Sequence, residues 1–141
     1  MKIKNNKKVY KKDNYSFYSC QYIVSFHTKY KRKVLDTDEK RNFVKETLLA
    51  ISKDYDFEIK EIEVSDNQVT MEIDCNPYFG IQSSIIKLKN NSASILKEKF
   101  PELTSRIPSI WTRDSFISTI GKVKEEDISN FTNFQKKYEN N

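Results

Sequence analysis

The sequence predicts an α+β fold of the ferredoxin-like type, a split βαβ arrangement with an antiparallel sheet and one additional C-terminal helix. Two kinds of segment and their order along the chain indicate this fold. Some segments alternate polar and apolar residues with period two, and others place apolar residues at helical spacing. Their order is β-α-β-β-α-β followed by a helix, which places the helices on one face of the sheet.

The first half of the chain supplies three strands and a helix. Residues 17–27, FYSCQYIVSFH, are aromatic and β-branched and predict the first strand. Asp36 or Thr37 can cap a helix that runs through about Ile51, with apolar residues on one stripe. Residues 57–64 predict the second strand. A short turn, Ser65-Asp66-Asn67, joins it to the third.

The third strand, 68–75, follows that turn. In the stretch SDNQVTMEI, Gln68 and Thr70 share the polar face because residues two apart in a strand point the same way. This spacing is also the one at which a metal-binding strand would place two histidines.

The second half supplies two helices and the last strand. Helical spacing predicts a helix over about 81–99, ended by Pro101. Residues 102–112 have no regular pattern, and 114–120 predict the fourth strand. Gly121 breaks that strand before a final helix over about 125–138.

Composition indicates one folded domain. The 141 residues are 37% apolar and 13% aromatic, and no apolar run is long enough for a membrane helix. The N-terminus lacks the apolar core of a secretory signal, so we expect a soluble cytoplasmic protein. Cys20, Cys75 and a single His27 form no zinc motif. We expect each cysteine to be a small buried residue and His27 to lie at the surface.

The net charge of +5 is local. Six lysines precede the first acid, Asp13, and without them 19 basic residues face 20 acidic ones, a net charge of −1. We therefore divide the chain into a basic N-terminal arm, 1–14, and a domain, 15–141. The arm is either a solvated tail or a source of phosphate contacts, because local basic clusters can contact phosphates.

A second basic cluster follows the first strand, and we call residues 29–33 the basic loop. It interleaves one aromatic residue with four cations: Lys29, Tyr30, Lys31, Arg32 and Lys33. Phosphate contacts together with base stacking are natural for such a loop. The alternative is a solvated connection between strand and helix.

Five segments, in order, resemble the IS200-like transposase family, the single-tyrosine HUH transposases of small bacterial insertion sequences, often called TnpA. They are YSCQYIVSFHTKYKRKVL (18–35), FEIKEIEVSDNQVTMEI (57–73), IIKLKNNSASILKEKFPEL (85–103), IWTRDSFISTIG (110–121) and EEDISNFTNFQ (125–135). The segments TKYKRKVL and IWTRDSFISTIG are the most specific.

The resemblance implies a catalytic set that this sequence lacks. In the family, two histidines on the third strand bind Mg²⁺ or Mn²⁺, and a tyrosine on the last helix attacks the DNA phosphate, with a glutamine four residues later. These positions fall on Gln68, Thr70, Phe131 and Gln135. We therefore expect no metal or other cofactor and a pseudoenzyme, with Phe131 buried against the sheet and Gln135 a relic or a surface residue.

The resemblance also implies a DNA-hairpin surface that includes the basic loop, Lys87, Lys89 and Arg113. The two lysines are alternatively ordinary solvent-facing helix residues, and Trp111 is expected to anchor the core or an interface. Family members are homodimers joined at sheet edges, and unpaired strand edges favour such a dimer here.

The expected function is binding without catalysis. The chain is expected to be a catalytically inactive, transposase-like protein that recognises hairpin DNA or structured RNA in a regulatory role, as a homodimer and away from membranes. The first alternative is a residual DNA strand transferase or nuclease with a displaced nucleophile such as Tyr138. The second is a module in which the same surface binds another protein.

Overall fold

The structure, a computed structural model, describes residues 8–105 and 109–139, with side chains as far as residue 133. Within these residues, six strands and three helices follow one another. They are β1 Lys11–Lys12, β2 Phe17–Tyr18, β3 Gln21–His27, α1 Asp38–Lys53, β4 Phe57–Val64, β5 Gln68–Cys75, α2 Gly80–Lys99, β6 Phe116–Thr119 and α3 Glu125–Glu139. Short 3₁₀ turns occupy Lys29–Lys31 and Pro101–Thr104.

Four strands form one antiparallel sheet in the order β4-β5-β3-β6. Since β3, α1, β4, β5, α2 and β6 follow one another in sequence, this order is the split βαβ arrangement. The predicted α+β class is confirmed. In the register of the two central strands, Ser25 pairs with Thr70 and His27 with Gln68.

One face of the sheet forms the core with α1 and α2. On β5, the alternating residues Val69, Met71 and Ile73 are fully buried, and they share the core with Leu48 of α1 and Leu88 of α2. Burying one such aliphatic side chain stabilises the fold by about 1.5–3 kcal/mol. The opposite face of the sheet, which we call the open face, therefore receives the polar residues of β5.

A side-chain cap begins α1, and a turn at Asn76 precedes α2. Thr37 is extended, and its side-chain oxygen accepts a hydrogen bond from the Lys40 amide at 3.2 Å, as an N-cap should. Before α2, the side chain of Asn76 accepts from the amides of Tyr78 and Phe79. Both helices thus begin within one residue of the predicted positions.

The predicted first strand, 17–27, is divided into β2 and β3. Strand β2 pairs with β1 in a small hairpin, because the side chain of Asp13 accepts from the amides of Tyr15 and Ser16 and turns the chain. Lys11 then forms an ion pair with Asp74 on the open face, at 3.1 Å. The boundary that we placed after residue 14 lies inside this hairpin, so residues 8–14 are joined to the domain.

The last sheet strand is shorter than predicted. It spans Phe116–Thr119 rather than 114–120. Its start is preceded by a long-range contact: the ammonium group of Lys89 on α2 donates to the carbonyl oxygens of Thr112, Arg113 and Asp114 at 2.9–3.0 Å. These carbonyls face a cation instead of a neighbouring strand. No helix in the part of the chain that the structure describes has the length and apolar character to span a bilayer.

Candidate nucleic-acid interface

The basic loop is held in an uncommon backbone conformation. Tyr30 and Lys31 both lie in the left-handed region, with φ of 58° and 54°. For residues with a side chain, that conformation costs about 1–3 kcal/mol each unless its surroundings enforce it. Here the amide of Lys29 donates to the carbonyl of Ile110 at 2.6 Å, and the Asn67 side chain donates to the carbonyl of Lys31 at 3.2 Å.

Thr28 closes the loop from the inside. It is fully buried, its amide donates to the carbonyl of Asn67 at 2.9 Å, and its hydroxyl donates to the carbonyl of Arg32 at 2.6 Å. The loop is thereby tied to the β4–β5 turn and to the segment before β6. Its cations are presented on a fixed backbone, which reduces the entropy lost on binding a partner.

The side chains of the basic loop face solvent. The Tyr30 ring is 68% exposed, with the Lys29 ammonium 5.6 Å and the Arg32 guanidinium 5.9 Å from its centre. Among the residues that the structure describes, none of the four loop cations forms an ion pair with a carboxylate. The loop therefore offers uncompensated positive charge beside an exposed aromatic ring.

The two lysines predicted on α2 have different surroundings. All three donors of Lys89 are used by the three carbonyls described above, and burial lowers the pKa of its ammonium. Lys87 instead lies over the Tyr55 ring, 5.4 Å from its centre. Arg113 is exposed. Lys89 thus shapes the segment that carries Arg113, while Lys87 contacts a different part of the molecule.

Trp111 is a core residue, as one of the two expectations had it. It is 5% exposed, packs edge-on against Phe26 with ring centres 4.9 Å apart, and donates from its indole nitrogen to Ser92 at 2.9 Å. A bridge between Trp111 and Thr28 joins this anchor to the base of the basic loop. Trp111 therefore supports the basic loop from the side of the core.

A cavity of about 640 Å³ lies on the open face beside the basic loop, and we call it the strand cavity. Neighbouring strands and loops bring its lining together: Ile23, Ser25, Phe26, His27, Lys31, Gln68, Thr70, Thr112, Asp114, Ser115 and Phe116. Gln68 and Thr70, predicted to share one face, both line it. His27, expected at the surface, is half-buried here. Lys31 belongs to both the loop and the cavity.

A hydrogen-bond network connects the polar residues of the strand cavity. Gln68 donates from Nε2 to the hydroxyl of Ser25 at 2.7 Å, and that hydroxyl donates to the carbonyl of Val69 at 3.0 Å. The Thr70 hydroxyl lies 3.2 Å from the same oxygen. Ser25 is thus central to the site. Sequence reasoning missed it, although it lies two residues before His27 on a strand that pairs with β5.

Beyond Thr70 the open face becomes acidic. Glu63 pairs with Thr70, and Glu61 pairs with Glu72, in the register of β4 and β5. Burial raises the pKa of Glu72, and repulsion from Glu61 and Asp74 raises it further. The acidic residues thus interrupt the positive surface beyond Thr70, and the Lys11 ammonium at the far end of this face is paired with Asp74.

The last helix packs elsewhere than predicted. The expectation that Phe131 is buried against the sheet is wrong: its ring is 37% exposed and stacks on Phe17 of β2, with ring centres 5.8 Å apart. Phe17 in turn stacks on Tyr10 at 5.1 Å, and the Tyr10 hydroxyl donates to Asp127 at 3.0 Å. The N-terminal hairpin therefore supplies the aromatic surface for α3. The side chain of Gln135 lies outside the described part of the chain.

Comparison with known proteins identifies the family. The sequence profile described as "Transposase IS200 like" matches residues 16–135, nearly the whole described domain. The chain belongs to the IS200-like transposase family. It is 27% identical over 107 residues to transposases for the insertion sequence element IS200 from Salmonella typhimurium and Salmonella typhi. Each match covers 74% of this chain and 70% of the relative.

Solved structures share the fold of this member of the IS200-like transposase family. The crystal structure of a candidate transposase from Deinococcus radiodurans R1 has a TM-score of 0.72 at 23% identity, covering 90% of this chain and 96% of that one. A REP-associated tyrosine transposase bound to a REP hairpin has a TM-score of 0.55 at 12% identity, covering 84% and 67%. At these identities the likeness concerns the fold alone.

Proposed function

We propose that this member of the IS200-like transposase family binds structured nucleic acid, as hairpin DNA or structured RNA, without cleaving it, and that it acts as a regulator. The basic loop carries the proposal. It combines four cations with one exposed aromatic ring on a backbone fixed by Thr28. Cations of this kind contact phosphates, and an exposed ring stacks on an unpaired base or on a terminal base pair.

Two further observations support a hairpin-like partner. A relative in fold, the REP-associated transposase, is bound to a REP hairpin. In the present chain the positive surface is short, because the open face becomes acidic at Glu61 and Glu63. Such a surface suits a compact stem and loop better than a long duplex, whose backbone would continue over the carboxylates.

The proposal excludes covalent chemistry at the family position. Phe131 has no hydroxyl, so its side chain cannot attack a phosphate. Its ring instead contributes to the stack with Phe17 and Tyr10. The last helix is thereby given a packing role in which only the aromatic ring is needed.

The residues at the family's metal position do not fit Mg²⁺ or Mn²⁺. Such ions take carboxylate, imidazole or water ligands, and Gln68 and Thr70 supply only neutral oxygens. We propose that divalent metal binding has been lost together with the nucleophile, and we assign no step to a metal.

A homodimer completes the proposal. Strands β4 and β6 are the two edges of the sheet, and β6 is exposed along its length. An exposed edge strand can pair with a second copy. A symmetric dimer would match a target with two hairpins or an inverted repeat.

The test is hairpin binding measured against salt and against charge. We expect affinity for a labelled DNA or RNA hairpin to fall on the order of 100-fold between about 50 and 200 mM salt, as for about four phosphate contacts. The triple variant Lys31→Gln, Arg32→Gln, Lys33→Gln should remove most of the binding. Its matched control, Lys45→Gln, Lys53→Gln, Lys97→Gln, changes three exposed lysines of α1 and α2 and should retain it.

Two results would contradict the proposal. One is binding that is indifferent to both salt and the loop variant. The other is capture of a partner protein, without nucleic acid, through the same loop, which sedimentation before and after nuclease treatment would reveal.

A further inference from the structure

We propose that the strand cavity binds one unpaired nucleobase next to the hairpin stem, in the place where the family binds its metal ion. This inference rests on the proposed function and specifies the part of the nucleic acid, an unpaired base, that the surface recognises. The register aligns Thr70, Ser25 and Phe116 in one row across β5, β3 and β6. Neighbouring strands lie about 5 Å apart, so Thr70 and Phe116 stand about 10 Å apart with Ser25 between them, which leaves room for one base.

Phe116 supplies an apolar wall. Its ring is 61% exposed although it lines the cavity, and it stands on the open face beside Ser25. An exposed aromatic ring at a cavity is a stacking platform, since every base has a π face. Ile23 lies in the same lining and extends the apolar surface.

The polar groups opposite present mainly acceptors. Ser25 has one hydroxyl proton, which goes to the carbonyl of Val69, so the proton in the contact with Thr70 comes from Thr70. The Thr70 oxygen keeps its lone pairs for a ligand. Gln68 uses one N–H for Ser25, keeps its Oε1 as an acceptor and has a second N–H that can donate. The site is therefore suited to a donor such as the exocyclic amino group of adenine or cytosine, which thymine lacks.

The charge of the cavity favours a base over a phosphate. Asp114 lines it together with the acceptor oxygens of Gln68 and Thr70, and Glu63 pairs with Thr70 across the sheet. A phosphate placed there would meet negative charge and lone pairs, whereas a base is neutral. Lys31 lies at the same cavity and can take the phosphate of the inserted nucleotide. The basic loop and the cavity thus form one continuous surface.

The experiment compares three DNA hairpins that differ in a single-stranded flank, tested on the 5′ and on the 3′ side. The flank carries adenines, thymines or abasic sites, so its phosphates are unchanged. We expect the adenine flank to raise affinity about five- to tenfold over the abasic flank, in line with one base stacked on an aromatic side chain. The thymine flank should raise affinity over the abasic flank by a smaller factor.

Two variants assign the effect to the strand cavity. Phe116→Ala should make the affinities for the adenine and abasic flanks about equal. Gln68→Leu should abolish the preference for adenine over thymine. Tyr78→Ala removes an exposed aromatic ring outside the cavity. This variant should keep both the higher affinity for the adenine flank over the abasic flank and the preference for adenine over thymine. Affinity for a hairpin without a flank should be the same in Tyr78→Ala as in the unmodified protein, and each cavity variant is compared with its own affinity for that hairpin.

The outcomes separate this inference from the proposed function. Tight hairpin binding with no difference between adenine and abasic flanks overturns the base site and leaves the proposed function intact. A difference that survives Phe116→Ala also overturns it. Absence of binding to both the DNA hairpin and the matching RNA hairpin in the unmodified protein overturns both.

Discussion

The hydroxyl of Thr28 donates to the carbonyl oxygen of Arg32 over 2.6 Å and so joins the two ends of the basic loop. The variant Thr28→Val keeps the shape of the side chain and removes this bond. Losing one such partly buried hydrogen bond costs about 0.5–1.5 kcal/mol. We expect the free energy of unfolding in urea to fall by that amount, and hairpin affinity to fall several-fold because the loop cations lose their fixed backbone.

A control for Thr28→Val is Thr132→Val, whose hydroxyl donates to the carbonyl of Ile128 on the exposed helix α3. This change should alter stability by less than about 0.5 kcal/mol. Equal losses in both variants would show that the loop bond has no special role.

A second prediction concerns Lys89. Because its ammonium is hydrogen-bonded to three carbonyls, Lys89→Met should lower the free energy of unfolding by about 2 kcal/mol. Lys87→Met removes only a contact with the Tyr55 ring and should cost less than about 1 kcal/mol. Urea titration of both variants checks this. The reverse order would mean that Lys89 does not organise the segment before β6.

A third prediction uses pH. Burial, with repulsion from Glu61 and Asp74, raises the pKa of Glu72 above its ordinary value. The folded state thus holds the Glu72 proton more tightly than the unfolded state, so ionisation of this group destabilises the fold above the raised pKa. Glu72→Gln should therefore stabilise the protein at pH 7, by about 0.5–1 kcal/mol for a like-charge pair across strands.

The gain from Glu72→Gln should disappear as the pH falls below the ordinary carboxyl pKa of about 4.3, where the native residue is neutral as well. Thermal melts at pH 7 and pH 4 measure it. Glu46→Gln, which removes an exposed carboxylate of α1, serves as the control and should not reproduce the gain at pH 7. A gain for Glu72→Gln that is the same at both pH values would refute the electrostatic cause.

A fourth prediction concerns chemistry. Labelled single-stranded DNA incubated with Mn²⁺ and the unmodified protein should give no covalent adduct on a denaturing gel. Phe131→Tyr alone should give none either, because Gln68 and Thr70 still supply no metal site. An adduct with the unmodified protein that is lost in Tyr138→Phe would instead establish a displaced nucleophile and an active strand transferase.

Sequence reasoning succeeded where local pattern decides the structure. The alternation in SDNQVTMEI assigned Gln68 and Thr70 to one face of β5, and both line the strand cavity. The predicted turn at Ser65-Asp66-Asn67 was also found, because turn residues act through their own backbone. Periodicity and turn chemistry are properties of short segments, so one sequence is enough to find them.

Sequence reasoning failed where a residue distant in the sequence determines the local structure. The segment before β6 is held by Lys89, which is more than 20 residues away in sequence. The division of the first predicted strand depends on the turn at Asp13 and on the ion pair between Lys11 and Asp74. The position of Phe131 depends on Phe17, at the other end of the chain. No local pattern contains this information.

The stack of Phe131 on Phe17 also shows that packing and catalysis require different parts of the side chain at this position. The contact uses the face of the ring, so folding asks for an aromatic side chain there and is indifferent to an oxygen at its tip. Phenylalanine and tyrosine differ by that single atom. Replacement of tyrosine by phenylalanine at this position would therefore remove the nucleophile in one substitution. The packing of the last helix would stay the same.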